Sequence, residues 1–193
     1  MEALTYDAVV LTGGAARRLG GASKPDVEVR GEPLIASALR AARDARVTVV
    51  VGPPTAHHPA SLTTREEPPG GGPVAAIAAG LQLLPEGAEW VLCLACDTPR
   101  AADAVPELVC VAGEAAATVT AVVGVDDEGI RQPLLALYRR RALDAGLGAI
   151  DVESASMKAL LAPLDVAEVS LPAGSARDLD TWEDVERARR ELT

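Results

Sequence analysis

The 193-residue sequence has no phenylalanine and only two tryptophans and two tyrosines. A core without large rings must be filled by aliphatic side chains. Ala and Val dominate here, as in helices packed against a sheet. Positive charge is also scarce: 18 Lys and Arg stand against 28 Asp and Glu, a formal charge of −10. Beyond Arg17–Arg18 and Arg139–Arg141 no basic stripe exists, so nucleic acid is excluded as an expected partner. An acidic protein that holds an anionic ligand must gather its cations locally or recruit a divalent metal. No apolar run approaches the ~20 residues of a membrane span, and Met1–Tyr6 is short and polar. Neither a membrane partner nor a signal peptide is expected, and the expected location is cytoplasmic.

Three cysteines are too few and too scattered for a disulfide framework. Cys93 and Cys96 form C-x-x-C on the apolar run Trp90–Ala95, which reads as a central strand. Side chains three apart on a strand face opposite ways, so these thiols are expected to be buried and separate, not a redox pair. His57 and His58 stand in a Pro-rich stretch without ligands at metal spacing, which suits a surface loop.

What is present alternates. The length suits one domain, 1–193, able to bury about 70% of its unfolded surface. Asp7–Leu11, Val47–Val51, Leu62–Arg65 and Trp90–Ala95 read as strands. Between them, Leu34, Ile35, Ala38, Leu39 and Ala42 share a helical face, Pro73 opens a helix to about Leu84, and Ala102–Val111 is helical. This βαβαβ order predicts an α/β fold, a mostly parallel sheet with helices on both faces. Thr118–Val125 and Leu134–Arg139 flank Asp126-Asp127-Glu128-Gly129, which predicts an antiparallel excursion in the second half. An Ala-rich helix pair through Leu161, a strand at Val166–Leu171 and a last helix opened by the capping box Thr181–Asp184 complete the chain.

The chemistry concentrates at predicted strand ends, where open parallel sheets bind ligands. After the first strand the chain reads LTGGAARRLGGASK. Gly13 and Gly14 allow a tight turn with bare amides, and Arg17, Arg18 and Lys24 surround it with cations, a polyphosphate site. It is not a Walker loop, since Lys24 is followed by Pro25, and Gly13-Gly14-Ala15 lacks the Gly-x-Gly of a dinucleotide turn. Gly70–Ala75 matches G-x-G-x-x-A on paper, but Pro68 and Pro69 stand where its strand should be. Glu66-Glu67 ends the third strand, and Asp97-Thr98-Pro99 follows the fourth. Asp97 is either the N-cap of the next helix or a Mg²⁺ ligand; the phosphate loop favours the metal. Asp178 and Asp180 either complete that metal site or complement the dipole of the last helix.

These motifs resemble the molybdenum cofactor nucleotidyltransferase family, most of all its guanylyltransferases. The resemblance rests on residues 11–21 with Lys24, Gly31–Leu34, Gly72–Ala76, Cys96–Pro99, Gln132-Pro133 through Arg139 and Asp180–Asp184, in order over nearly the whole chain. It implies a Rossmann-like three-layer nucleotide-diphospho-sugar transferase fold. The implied reaction is Mg²⁺-dependent transfer of GMP from GTP to the terminal phosphate of molybdopterin cofactor, releasing pyrophosphate. By resemblance Leu11, Thr12, Gly13 and Gly14 meet the nucleotide, and Lys24 and Arg18 meet its phosphates. Glu67 is the nearest match to an acidic base or ribose contact and Asp97 matches the Mg²⁺ and nucleotide ligand, while Asp180 is the candidate second metal ligand from its position before the last helix. Handing on such a product favours transient contact with a molybdoenzyme or chaperone.

Three departures keep other readings open. Asp180 falls where guanylyltransferases often have Asn and cytidylyltransferases Asp, Ser23 replaces a common Asp, and Glu67 stands where Asp is usual. A cytidylyltransferase of the same family is therefore the first alternative. A sugar-phosphate nucleotidyltransferase shares the Gly-Gly…Arg opening but usually has a longer loop ending in Pro-Lys and a longer C-terminal portion. A non-catalytic nucleotide-binding module is the third.

Overall fold

The structure, a computed structural model, describes residues 4–13, 23–53 and 61–191. Gly14 and Arg18, expected at the nucleotide, lie outside the described residues, as do Arg17 and the His57–His58 pair. The first half runs β1 (Tyr6–Leu11), a 3-10 turn (Lys24–Asp26), a small hairpin of β2 (Glu28–Val29) and β3 (Glu32–Pro33), α1 (Leu34–Ala41), β4 (Thr48–Val51), β5 (Leu62–Thr64) and α2 (Gly72–Leu83). Then come β6 (Trp90–Ala95), α3 (Ala101–Glu114), β7 (Ala121–Val125), β8 (Arg131–Arg139), α4 (Arg140–Gly148), α5 (Met157–Leu161), β9 (Val166–Ser170) and α6 (Trp182–Glu191).

Seven strands form one sheet in the order β5-β4-β1-β6-β8-β7-β9. All pairings are parallel except those of β8, which runs antiparallel to both β6 and β7. The expected excursion is therefore one inserted strand. It begins at Arg131, earlier than Leu134, because the pairing with β7 shifts register between Val123 and Gly124 and continues through Gln132 and Arg131.

Alternation divides the core into two layers. Ala8, Val10, Leu92 and Leu94 face α1 and α3, while Val9, Val91 and Cys93 face α2, α4 and α5. Cys93 and Cys96 fall in different layers, as their spacing requires. Burial alone pushes the Cys93 thiol up to about 12, and burial, aided by the charge of Asp97, does the same for Cys96. Both remain inert thiols at neutral pH. A third cluster, Val27, Val29, Leu34, Leu179, Val185 and Ala188, fastens α6 to the small hairpin and the start of α1. None of the described helices is long and apolar enough to cross a membrane.

Candidate active site

Because β1, β4, β5, β6, β7 and β9 share a direction, their carboxyl ends lie along one edge of the sheet, with the start of β8. At the end of β1, Leu11 and Thr12 are locked to neighbouring strands. The Leu11 carbonyl accepts from the Cys96 amide at 2.9 Å, and the Thr12 amide and hydroxyl both donate to the Val51 carbonyl, at 2.9 and 3.1 Å. Position 52 must be glycine for this: a Cβ there would overlap Thr12 Oγ1. Gly13 follows at the exposed rim.

Across the rim from Gly13 stands the acid pair after β5. Glu66 is buried, its Oε1 accepts from the Gly70 amide at 2.9 Å, and the same oxygen lies 3.8 Å from where a Gly13 Cβ would be. Glu67 is exposed. The carboxylate turned toward Gly13 is thus Glu66, one position before the residue the resemblance selected. Glu66 braces the Gly70–Gly72 turn ahead of α2 while standing near Gly13.

The centre of the edge is Lys24. Its Nζ donates to Asp97 Oδ2 and to Asp180 Oδ1, both at 2.7 Å. Three sequence-distant elements meet in this contact: the 3-10 turn, the tip of β6 and the segment before α6. Asp97 does not cap α3, whose N-cap is Arg100, so the capping alternative is excluded. Asp180 reaches the centre because the chain returns from β9 across the sheet edge. The Leu179 amide donates to the Asp97 carbonyl at 3.0 Å, and the Leu179 side chain is buried. The capping box beyond it forms as expected: Thr181 Oγ1 accepts from the Asp184 amide at 3.2 Å, and Asp184 Oδ2 accepts from the Thr181 amide at 3.0 Å.

The electrostatics are lopsided. Burial works against the Lys24 ammonium, but the charge of Asp97 and the hydrogen bonds from Asp180 and Asp97 outweigh it and raise its pKa. Asp178 is pushed up, first by partial desolvation, then by the charges of Asp180 and Asp97, with Lys24 opposing. Among the described residues, one ammonium stands with three carboxylates, a set of hard oxygen donors. That donor set fits Mg²⁺, which binds through one or two carboxylates plus substrate phosphate oxygens. Among the described residues no three His, Cys, Asp or Glu side chains form a metal-holding group. Asp97 and Asp180 are the two carboxylates that meet at Lys24. Of the other residues singled out in the sequence, Leu11, Thr12 and Gly13 lie at the same edge, whereas the buried cysteines belong to the core.

Gly13, Lys24 and the strand-tip Asp97 thus lie along the carboxyl edge of an α/β sheet. The chain belongs to the MobA-like NTP transferase family, whose model matches residues 8–169. It is 30% identical over 145 residues to the molybdenum cofactor guanylyltransferase of Pseudomonas putida, covering 71% of this chain and 72% of that one. The protein of the same name from Vibrio atlanticus is 30% identical over 139 residues, 70% and 69% of the two chains. Among solved structures, molybdopterin-guanine dinucleotide biosynthesis protein A of Archaeoglobus fulgidus superposes with a TM-score of 0.73 at 22% identity, covering 96% of this chain and 98% of that one. The 2-C-methyl-D-erythritol 4-phosphate cytidylyltransferase of Thermus thermophilus superposes at 0.70 and 18% identity, with 99% and 98% coverage. These two likenesses concern the fold.

Proposed function

We propose that this chain, as one nucleotidyltransferase domain, moves GMP from GTP to the phosphate of a molybdopterin-type acceptor and releases pyrophosphate. The observation that supports it is the contact of Lys24 with both Asp97 and Asp180 beside the loop after β1. The names of the Pseudomonas and Vibrio relatives supply the substrate pair.

The reaction asks little covalent help from protein. The acceptor phosphate is already an oxyanion near neutral pH, so no side chain need act as general base. The work is alignment and charge neutralisation at the α-phosphorus. In this reading the backbone of Leu11–Gly13, continued by Gly14, cradles the nucleotide. Glu66 braces the Gly70–Gly72 turn near Gly13, and either Glu66 or its neighbour Glu67 contacts the base or ribose. Lys24 exchanges its carboxylate partners for phosphate oxygens, and together with Arg18 it offsets charge moving onto the leaving pyrophosphate. Mg²⁺ held by Asp97 and Asp180 would supply the remaining positive charge beside the triphosphate.

The test is a panel of GTP, CTP, ATP and UTP with Mg²⁺ and the acceptor, read by thermal shift and pyrophosphate release. GTP is expected to give the largest shift and the only fast release. Preference for CTP would move the chain to the cytidylyl branch, which the carboxylate at Asp180 favours by resemblance. Binding without release would make it a nucleotide-binding module.

A further inference from the structure

The segment from Pro172 to Thr181 is a strap that leaves the outer strand β9 and passes the ends of β7 and β8 to reach the tip of β6. Its far end carries Asp178 and Asp180 and is fastened by the Leu179 amide on the Asp97 carbonyl. Its near end is fastened by two side chains outside the lysine–carboxylate centre. Arg100, three residues beyond Asp97, donates Nη1 to the Ala173 carbonyl at 3.1 Å while its Nε is held by Asp103 Oδ2 at 2.9 Å. Asp127, in the turn between β7 and β8, accepts on Oδ2 from the Gly174 amide at 3.2 Å. Both bonds go to backbone, so they fix the path of the strap rather than any side chain on it. Gly174 has φ +70°, a left-handed conformation that other residues resist, and a Cβ there would stand 3.3 Å from Arg100 Nη1. Between the two fastenings lies a cavity of about 230 Å³ bordered by Arg100, Asp127, Gly174, Arg177 and Leu179.

We propose that Arg100 and Asp127 are positioning residues: by clamping Ala173 and Gly174 they set where Asp178 and Asp180 stand against Lys24 and Asp97. The clamp rests on the reading of that centre as the transfer site. Each residue acts through the strap backbone, and the pair comes from two different places, the start of α3 and the β7–β8 turn. Releasing either lets the strap's carboxylates drift, and small displacements of aligned groups are costly to rate.

The experiment compares Arg100→Ala and Asp127→Ala with Arg100→Lys, which keeps a donor for Ala173, and Asp127→Asn, which keeps an acceptor for Gly174. Steady-state transfer and amide hydrogen exchange at Leu179 and Asp180 are measured on the full chain. Each alanine variant is expected to lower kcat roughly ten- to a hundredfold. The KM for the nucleotide is expected to stay near wild type, and exchange at both amides to accelerate. The Lys and Asn variants are expected to recover most of both readouts. Wild-type kcat in both alanine variants, or lowered kcat with unchanged exchange, overturns the clamp. So does loss in Asp127→Asn as deep as in Asp127→Ala. Should the wild-type chain transfer no nucleotide, the functional reading falls. The exchange arm then decides the clamp alone: faster exchange supports it, and unchanged exchange ends it.

Discussion

The two edges of the sheet treat charge in opposite ways. At the amino ends of β1 and β6, every prominent charge is neutralised and tied down. Buried Asp7 receives two hydrogen bonds from Arg46, both 3.0 Å, and Arg46 also donates to the Pro85 and Glu86 carbonyls. Arg139 lies 4.5 Å over the Trp90 ring, pairs with Glu89 and donates to the Val119 and Ala116 carbonyls, while Arg140 pairs with Asp144. At the carboxyl ends, Asp97, Asp178 and Asp180 gather near one lysine, and Asp178 is raised, first by partial burial and then by the charges of Asp180 and Asp97. Charges that are fully answered by protein hold a fold together. Like charges clustered at one strand edge are where a ligand is expected.

Mutations can break this contrast. The largest effect belongs to the carboxyl edge: Lys24→Ala and Asp97→Ala are each expected to lower kcat by about 10²–10³, the usual cost of one charge-stabilising group, with unchanged circular dichroism. Wild-type rates in either purified variant would refute the site. On the opposite edge the effect should fall on stability. Arg46→Ala strands the buried Asp7 carboxylate and is expected to lower the midpoint of denaturant unfolding clearly below wild type. Its kcat, measured while folded, should match wild type. The smallest effect sharpens the boundary between the two roles. Thr181→Ala removes the helix cap beside the site and should cost about 1 kcal/mol at pH 7. Thr181 hydrogen bonds, foremost the hydroxyl, hold the Asp184 carboxyl below its ordinary range. A depressed folded pKa gives stability above the unfolded value of about 3.9 and loses it as pH falls through the folded one. The gap between wild type and Thr181→Ala should accordingly narrow in melts at pH 3.

The parallel half was legible because its strands are buried on both faces and read as continuous apolar runs, as in Val9–Leu11 and Val91–Leu94. The convergence of Lys24 with Asp97 followed from one rule, that parallel strands present their ends on a common edge. Which of Glu66 and Glu67 turns toward Gly13 was not legible, because it depends on how the chain leaves the short strand β5. The hairpin of β2 and β3 was missed, since two-residue strands carry no periodic signal. Arg100 and Asp127 gave none either: their partners are backbone groups 73 and 47 residues away, which no local pattern encodes.

The contact between Lys24 and Asp180 spans 156 positions. Closing so long a loop is entropically slow, and it gains its reward only after β6 and β9 are in place. A nascent chain would carry the phosphate loop and Asp97 well before Asp180 emerged. Competence is thus expected to be the last property acquired during folding, and a partly folded form would present a sheet without its centre.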